Sequence, residues 1–235
     1  MTALSIIQNA AIDPGIGLRQ PSAVFGSSDL TTLQLLQLAQ RSGRQLAKRH
    51  DWQALTVERT FTSLNQVEQT GAIPSDYDRL IYAADVWDRT QNLKFAGPTP
   101  SRVWQDLQTN LTGGIVGWWR LLGGELHIFP AQDAGNTLAF EYISKNWCES
   151  SGGTGQDAFA ANTDVARIPE HLIELEIIWR WRKAKELDYA EELATAEREI
   201  EKACARDRGT GVIYPPPSES TLPPVPTWPG TITVP

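Results

Sequence analysis

Residues 167–209 read "RIPEHLIELEIIWRWRKAKELDYAEELATAEREIEKACARDRG". Pro169 occupies a position where the first turn of a helix tolerates a missing N–H, and Leu172, Leu175, Ile178 and Trp179 follow on one face. A break is expected near Leu187-Asp188, because Asp188 with Glu191 resembles a capping box. A fresh apolar stripe then begins at Tyr189 and continues through Leu193, Ala196, Ile200 and Ala203, until Gly209 and Gly211 stop it. Two amphipathic helices in succession need apolar partners. The chain supplies them at its other end. Residues 3–12 form a short apolar helix behind Thr2 as N-cap, ended by Asp13-Pro14-Gly15. Residues 30–49 form a longer one capped by Ser28 or Asp29, with Leu33, Leu36, Leu38, Ser42 and Leu46 at helical spacing. Arg44, Lys48, Arg49 and His50 close this helix, where its dipole favours positive charge.

Between these helical ends the period changes. In "WQALTVERTFTSL" (52–64) Leu55, Val57 and Arg59 alternate with Thr56, Glu58 and Thr60, the pattern of a strand. "GWWRLLGGELHIFPA" (117–131) and "NTLAFEYISKNW" (136–147) are read as further strands, with turns at Gly123-Gly124 and at Ala134-Gly135-Asn136, together a meander. One short helix is expected near Pro100. "ESSGGTGQDAFAANTD" (149–164) reads as an exposed tip or linker. The expected fold is therefore α+β. Residues 1–55 and 165–208 give a mainly helical core of four to five helices, residues 56–164 an inserted β-rich meander with the Gly/Ser-rich loop 149–164, and residues 209–235 an extended Pro-rich C-terminal arm.

The arm, "VIYPPPSESTLPPVPTWPGTITVP" (212–235), has one acidic residue, Glu219, and no basic one. It has no helical or alternating period, yet carries many apolar side chains. Such a segment cannot form a core of its own, so its apolar residues are expected to contact something else. The expected anchors are Tyr214, Pro215, Pro216, Pro217, Leu222, Val225, Trp228 and Ile232. In polyproline II geometry its length reaches roughly 75 Å, and proline lowers the entropy lost on docking.

Composition narrows the function classes. The chain has 235 residues, 41% of them hydrophobic and 21% charged, and no apolar run long enough to span a membrane, so no membrane partner is expected. The N-terminus lacks the basic flank and cleavage pattern of a secretory signal. A net charge of −7 disfavours a protein devoted to gripping phosphates. Cys148 and Cys204 stand far apart in unlike contexts and are expected to be reduced thiols. Nine tryptophans fit either a Trp-rich core or broad covered interfaces.

Catalytic signatures are missing from the sequence. There is no G-x-S-x-G, H-E-x-x-H or C-x-x-C, and "SGGTGQD" lacks the Lys-Ser/Thr pair of a phosphate loop. His171 and Glu174 at i, i+3 read as a solvated first turn, His50 beside Asp51 as a positive helix end, and Glu191-Glu192 as part of a charged face. No catalytic, cofactor-binding or metal-binding residue is assigned. Trp179 and Trp181, interleaved with Arg180, Arg182, Lys183 and Lys185, stand two apart and so face opposite sides of a helix: one Trp suits the core and the other, taken as Trp181, a subunit contact.

Three stretches carry a resemblance. "RHDWQAL" (49–55), "LAFEYISKNW" (138–147) and "IWRWRKAKELDYAEE" (178–192), with "GGELHIFPA" (123–131) between, resemble the head-to-tail adaptor, or connector, proteins of tailed bacteriophages, over about residues 3–208. The resemblance implies a structural virion protein, not an enzyme, that assembles in the host cytoplasm and takes its place in the neck between head and tail. It implies a homo-oligomeric ring, commonly twelve-fold, fitted beneath the portal protein and above the next tail protein, with double-stranded DNA passing through the lumen. Helices would line the ring and the β-rich part would lie outside or below. The alternatives are another tail-side structural protein, such as a tail completion or stopper component, and a virion-associated cell-wall hydrolase.

Overall fold

A computed structural model describes residues 1–81, 84–109 and 117–208. The fold is mixed α+β. Five helices are α1 (Ala3–Ile12), α2 (Leu30–Arg49), α3 (Ser101–Thr109), α4 (Glu170–Ala184) and α5 (Ala190–Asp207). The strands are β1 (Thr56–Thr62), β2 (Glu68–Gln69), β3 (Tyr77–Leu80), β4 (Val86–Asp88), β5 (Leu93–Phe95), β6 (Trp118–Leu122), β7 (Glu125–Phe129), β8 (Thr137–Ser144), β9 (Cys148–Glu149), β10 (Gly155–Gln156) and β11 (Val165–Ala166). Among the described residues the named strands pair antiparallel, and an isolated parallel bridge joins Ala96 to Trp118. β1, β8, β4 and β5 lie in that order with β3 also on β8; β2, β7 and β6 form a second sheet, and β10, β9 and β11 a small third.

The helix ends follow local chemistry. Thr2 caps α1, its Oγ1 accepting from Ser5 N at 3.3 Å, and Asp29 caps α2 by accepting from Thr31 N and Thr32 N. The break between α4 and α5 stands where expected, but the capping box does not form. Tyr189 holds the N-cap position without a side-chain bond, while Asp188 Oδ1 accepts from Ala190 N at 3.2 Å.

α4 packs against α1, α2 and α5. This widens its buried face: the expected Leu172 and Ile178 are joined by Ile173, Glu176, Ile177 and Trp181, while Leu175 and Trp179 are half-buried, because a helix with neighbours on three sides buries more than one stripe. Trp181 is 5% exposed and packs in the helical core. In α2 the inward stripe is Thr32, Leu35, Leu36, Ala39, Ser42, Gly43, Leu46 and Ala47, with Leu33 outside and Leu38 half-buried. The small residues in its middle admit the Trp147 ring against the helix backbone, a contact that a search for leucines overlooks.

The expected meander is replaced by two sheets. β6 and β7 do form a hairpin, turned by Gly123 and Gly124 at φ +64° and +87°, backbone that two-residue hairpin turns require. β8, however, leaves this hairpin and pairs with β1 over its full length and with β3 and β4. The physical reason lies in "LAFEYIS": β8 buries Leu138, Phe140, Tyr142 and Ser144 on one face and Ala139 and Ile143 on the other, and a strand with apolar residues on both sides takes the middle of a sheet. Leu138, Phe140 and Tyr142 face Trp119, Leu126 and Ile128 of the second sheet in one apolar cluster. Ile143, and then Trp147, belong to the other cluster, that of the helices. β8 thus joins the two cores.

Residues 149–164 are not an exposed linker. Phe159 is buried against Trp147 at 4.6 Å between ring centroids, and Trp147 Nε1 donates to Asp157 O at 2.7 Å. Asn162 Oδ1 accepts from Val24 N and Phe25 N, and Asp164 O accepts from Ala3 N at 2.7 Å. The tip at Ser151, Gly152 and Gly153 remains exposed. Composition read as flexibility missed one aromatic and two Asx side chains that tie the loop down.

Tyr142 offers a check on the sheet. Its hydroxyl donates to Asp76, whose carboxylate also accepts from Ser144 Oγ at 2.7 Å, and burial followed by this carboxylate pushes the phenol from 10.0 to about 12. The folded state holds the proton that the unfolded chain releases, so the contribution is intact below pH 10 and is lost as pH rises towards 12. Urea unfolding at increasing alkaline pH is expected to show a shallower loss of stability for Tyr142→Phe than for the wild type. An identical slope would mean that the hydroxyl is solvated.

Candidate interaction surface

α4 ends against the start of α2. Between them lies a groove of about 420 Å³ lined by Leu30, Leu33, Leu38, Trp181 and Ala184, with Gln34, Gln37 and Lys185 at its rim. Leu30 is 68% exposed and Leu33 39%, a concentration of apolar surface that helical spacing alone does not reveal, since it places Leu33 on the inward stripe. Lys185 Nζ sits 4.5 Å from the Trp181 ring centroid and donates to Gln34 Oε1 at 3.4 Å. Trp181 was singled out from sequence as a contact residue; the structure makes it the floor of this groove. Trp179 is the half-buried partner, covered by Arg180 at 4.5 Å and beside Tyr189.

The other end of the helical layer carries a clasp. Asp207, in the last turn of α5, accepts from Gln53 N at 3.0 Å, and its Oδ2 lies 3.0 Å from His50 Nε2, which the carboxylate makes the protonated ring nitrogen. Gln53 Nε2 also donates to Asp207 O. His50 is buried and meets Trp52 edge to face at 4.9 Å. Arg49 forms a forked pair with Glu197, and Arg79 donates to the α2 carbonyls of Ala47 and His50 and to Asp51. The ends of α2 and α5 are therefore fixed to each other and to β3. The arm residues Tyr214, Pro215, Pro216, Pro217, Leu222, Val225, Trp228 and Ile232 lie outside the described residues, and the clasp is the last described point before them.

A second cavity, of about 540 Å³, opens over β1, β8 and β4, lined by Glu58, Asp85, Trp87, Asp88, Arg89 and Glu141 among others. Its carboxylates are largely committed. Glu58 pairs with Arg89 at 2.6 Å and Asp85 with Lys94 at 2.6 Å, and Asp88 accepts from Thr90 N, Gln91 N and Asn136 Nδ2. Burial pushes the Cys148 thiol up to about 12, far from a reactive thiolate, and Cys204 is also raised by burial; both are free thiols. Glu174, raised by burial, accepts from Asn9 at 2.9 Å. Among the described residues no three His, Cys, Asp or Glu side chains are grouped to hold a metal ion, and no helix is long and apolar enough to cross a membrane.

No protein-family model matches the chain, and no curated protein matches it.

Proposed function

We propose that this chain is a head-to-tail adaptor of a tailed bacteriophage, a structural protein that forms a ring, commonly twelve-fold in such proteins, beneath the portal and joins the capsid to the next tail protein, with DNA passing through the lumen. In this reading residues 1–55 and 165–208 form the ring-building helical part, residues 56–164 the β-rich insertion, and residues 209–235 an arm that reaches a neighbouring component. The observation that carries it is where the resembling stretches fall. Residues 49–55 are the clasp that holds the end of α5, residues 138–147 are the strand shared by both cores, and residues 178–192 are the α4–α5 corner beside the groove. The first two stretches are framework positions, at which a resemblance reflects how the chain packs, and the third combines the buried Ile178 and Trp181 with an exposed run from Lys183 to Asp188. The exposed leucines beside Trp181 add a surface suited to a protein partner. An acidic chain in a lumen leaves DNA phosphates un-neutralised, which suits passage rather than retention.

Chemical cross-linking in the presence of portal-bearing heads of the same phage tests the assignment. Cross-links to the portal protein are expected. Cross-links confined to distal tail proteins would make it a tail completion or stopper component, and peptidoglycan clearing that a Glu→Gln substitution abolishes would make it an enzyme.

A further inference from the structure

We infer that the groove between α2 and α4 receives the distal part of the Pro-rich arm, around Trp228, of a second copy of this chain. The inference rests on the ring reading for its choice of a neighbouring copy. The first ground is chemical. A polyproline II segment has no internal hydrogen bonds, so its carbonyls need donors, and it is read by aromatic-floored apolar grooves. Here Trp181, Leu30, Leu33 and Leu38 supply the apolar floor and walls, while Gln34, Gln37 and Lys185 supply side-chain donors at the rim. No acidic residue lines the groove, so its lining does not repel the arm's single acidic residue, Glu219.

The second ground is reach and direction. Five residues separate the end of α4, beside the groove, from the start of α5, whose 18 residues carry the chain about 27 Å away before the clasp at Asp207. The arm therefore begins at the far end of the helical layer from its own groove. Twenty residues from 209 to 228 extend roughly 60 Å at about 3.1 Å each, so the arm reaches an adjacent subunit without doubling back along α5. A single contact of this size is weak, and repetition around a closed ring raises it through effective concentration.

The test uses the full chain carrying p-benzoylphenylalanine in place of Trp228, with ordinary and 15N-labelled copies mixed, irradiated in the presence of portal and mapped by mass spectrometry. Mixed-label cross-links from position 228 to residues 30–38 or 181–185 are expected, falling at least tenfold when the acceptor copy carries Leu33→Glu or, separately, Leu30→Glu. Cross-links within one copy only, cross-links to another surface of the chain, or yields that neither groove substitution changes would overturn the inference. Cross-links from position 228 to the portal alone would overturn it while supporting the adaptor assignment, so the two readings fail separately.

Discussion

Gly43→Ala is expected to destabilise the protein by about 3 kcal/mol, lowering the thermal midpoint by roughly 8 °C. In an exposed helix the same change would stabilise by up to about 1 kcal/mol. The sign reverses because a Cβ at this position would stand 2.4 Å from Cζ3 of Trp147 and 2.5 Å from its Cη2. The ring has little freedom to withdraw. It is fully buried, its Nε1 is held by Asp157 O, and its edge rests on Phe159. In a Trp147→Phe background, where the six-membered ring of the indole is gone, the cost of Gly43→Ala should fall by more than 1 kcal/mol, the signature of two directly coupled sites. A neutral or stabilising Gly43→Ala in the wild-type background would mean that Trp147 does not pack on α2.

Asp207→Ala is expected to cost about 2 to 3 kcal/mol, since it leaves the buried His50 Nε2–H and the Gln53 amide without their acceptor. The alternative has the opposite sign. An acid in the last turn of a helix opposes the dipole, so an unengaged Asp207 replaced by alanine would stabilise α5 slightly. Hydrogen exchange at Gln53 N–H reports the same clasp locally and should quicken in the variant. The clasp matters beyond stability because it fixes the point from which the chain passes to residue 209. Loosening it should lower arm-dependent association without altering the groove.

Much of this fold was written in the chain in a form that periodicity can read. α1 and α2 carry clear caps and apolar spacing, and the α4–α5 break shows in the change of stripe at Tyr189. The β6–β7 hairpin shows in two consecutive glycines. What periodicity could not give was partner choice. β8 pairs with β1, some eighty residues earlier, because it buries residues on both faces, and nothing local names that partner. The packing of Gly43 under Trp147 depends on an absent side chain, which no apolar pattern marks. Residues 149–164 look flexible by composition and are held by Phe159, Asn162 and Asp164. The groove was half legible: Trp181 drew notice, but its companions Leu30 and Leu33 were visible as outward-facing only once α2 had a neighbour. The His50–Asp207 clasp joins residues too far apart in sequence to be paired without the fold.

The adaptor assignment is tested most directly by electron microscopy of the purified chain mixed with the portal protein of its phage. Closed rings seated coaxially on the portal are expected, with a lumen wide enough for duplex DNA. Particles that stay monomeric at every concentration, and portals that gain no density beneath them, would contradict it.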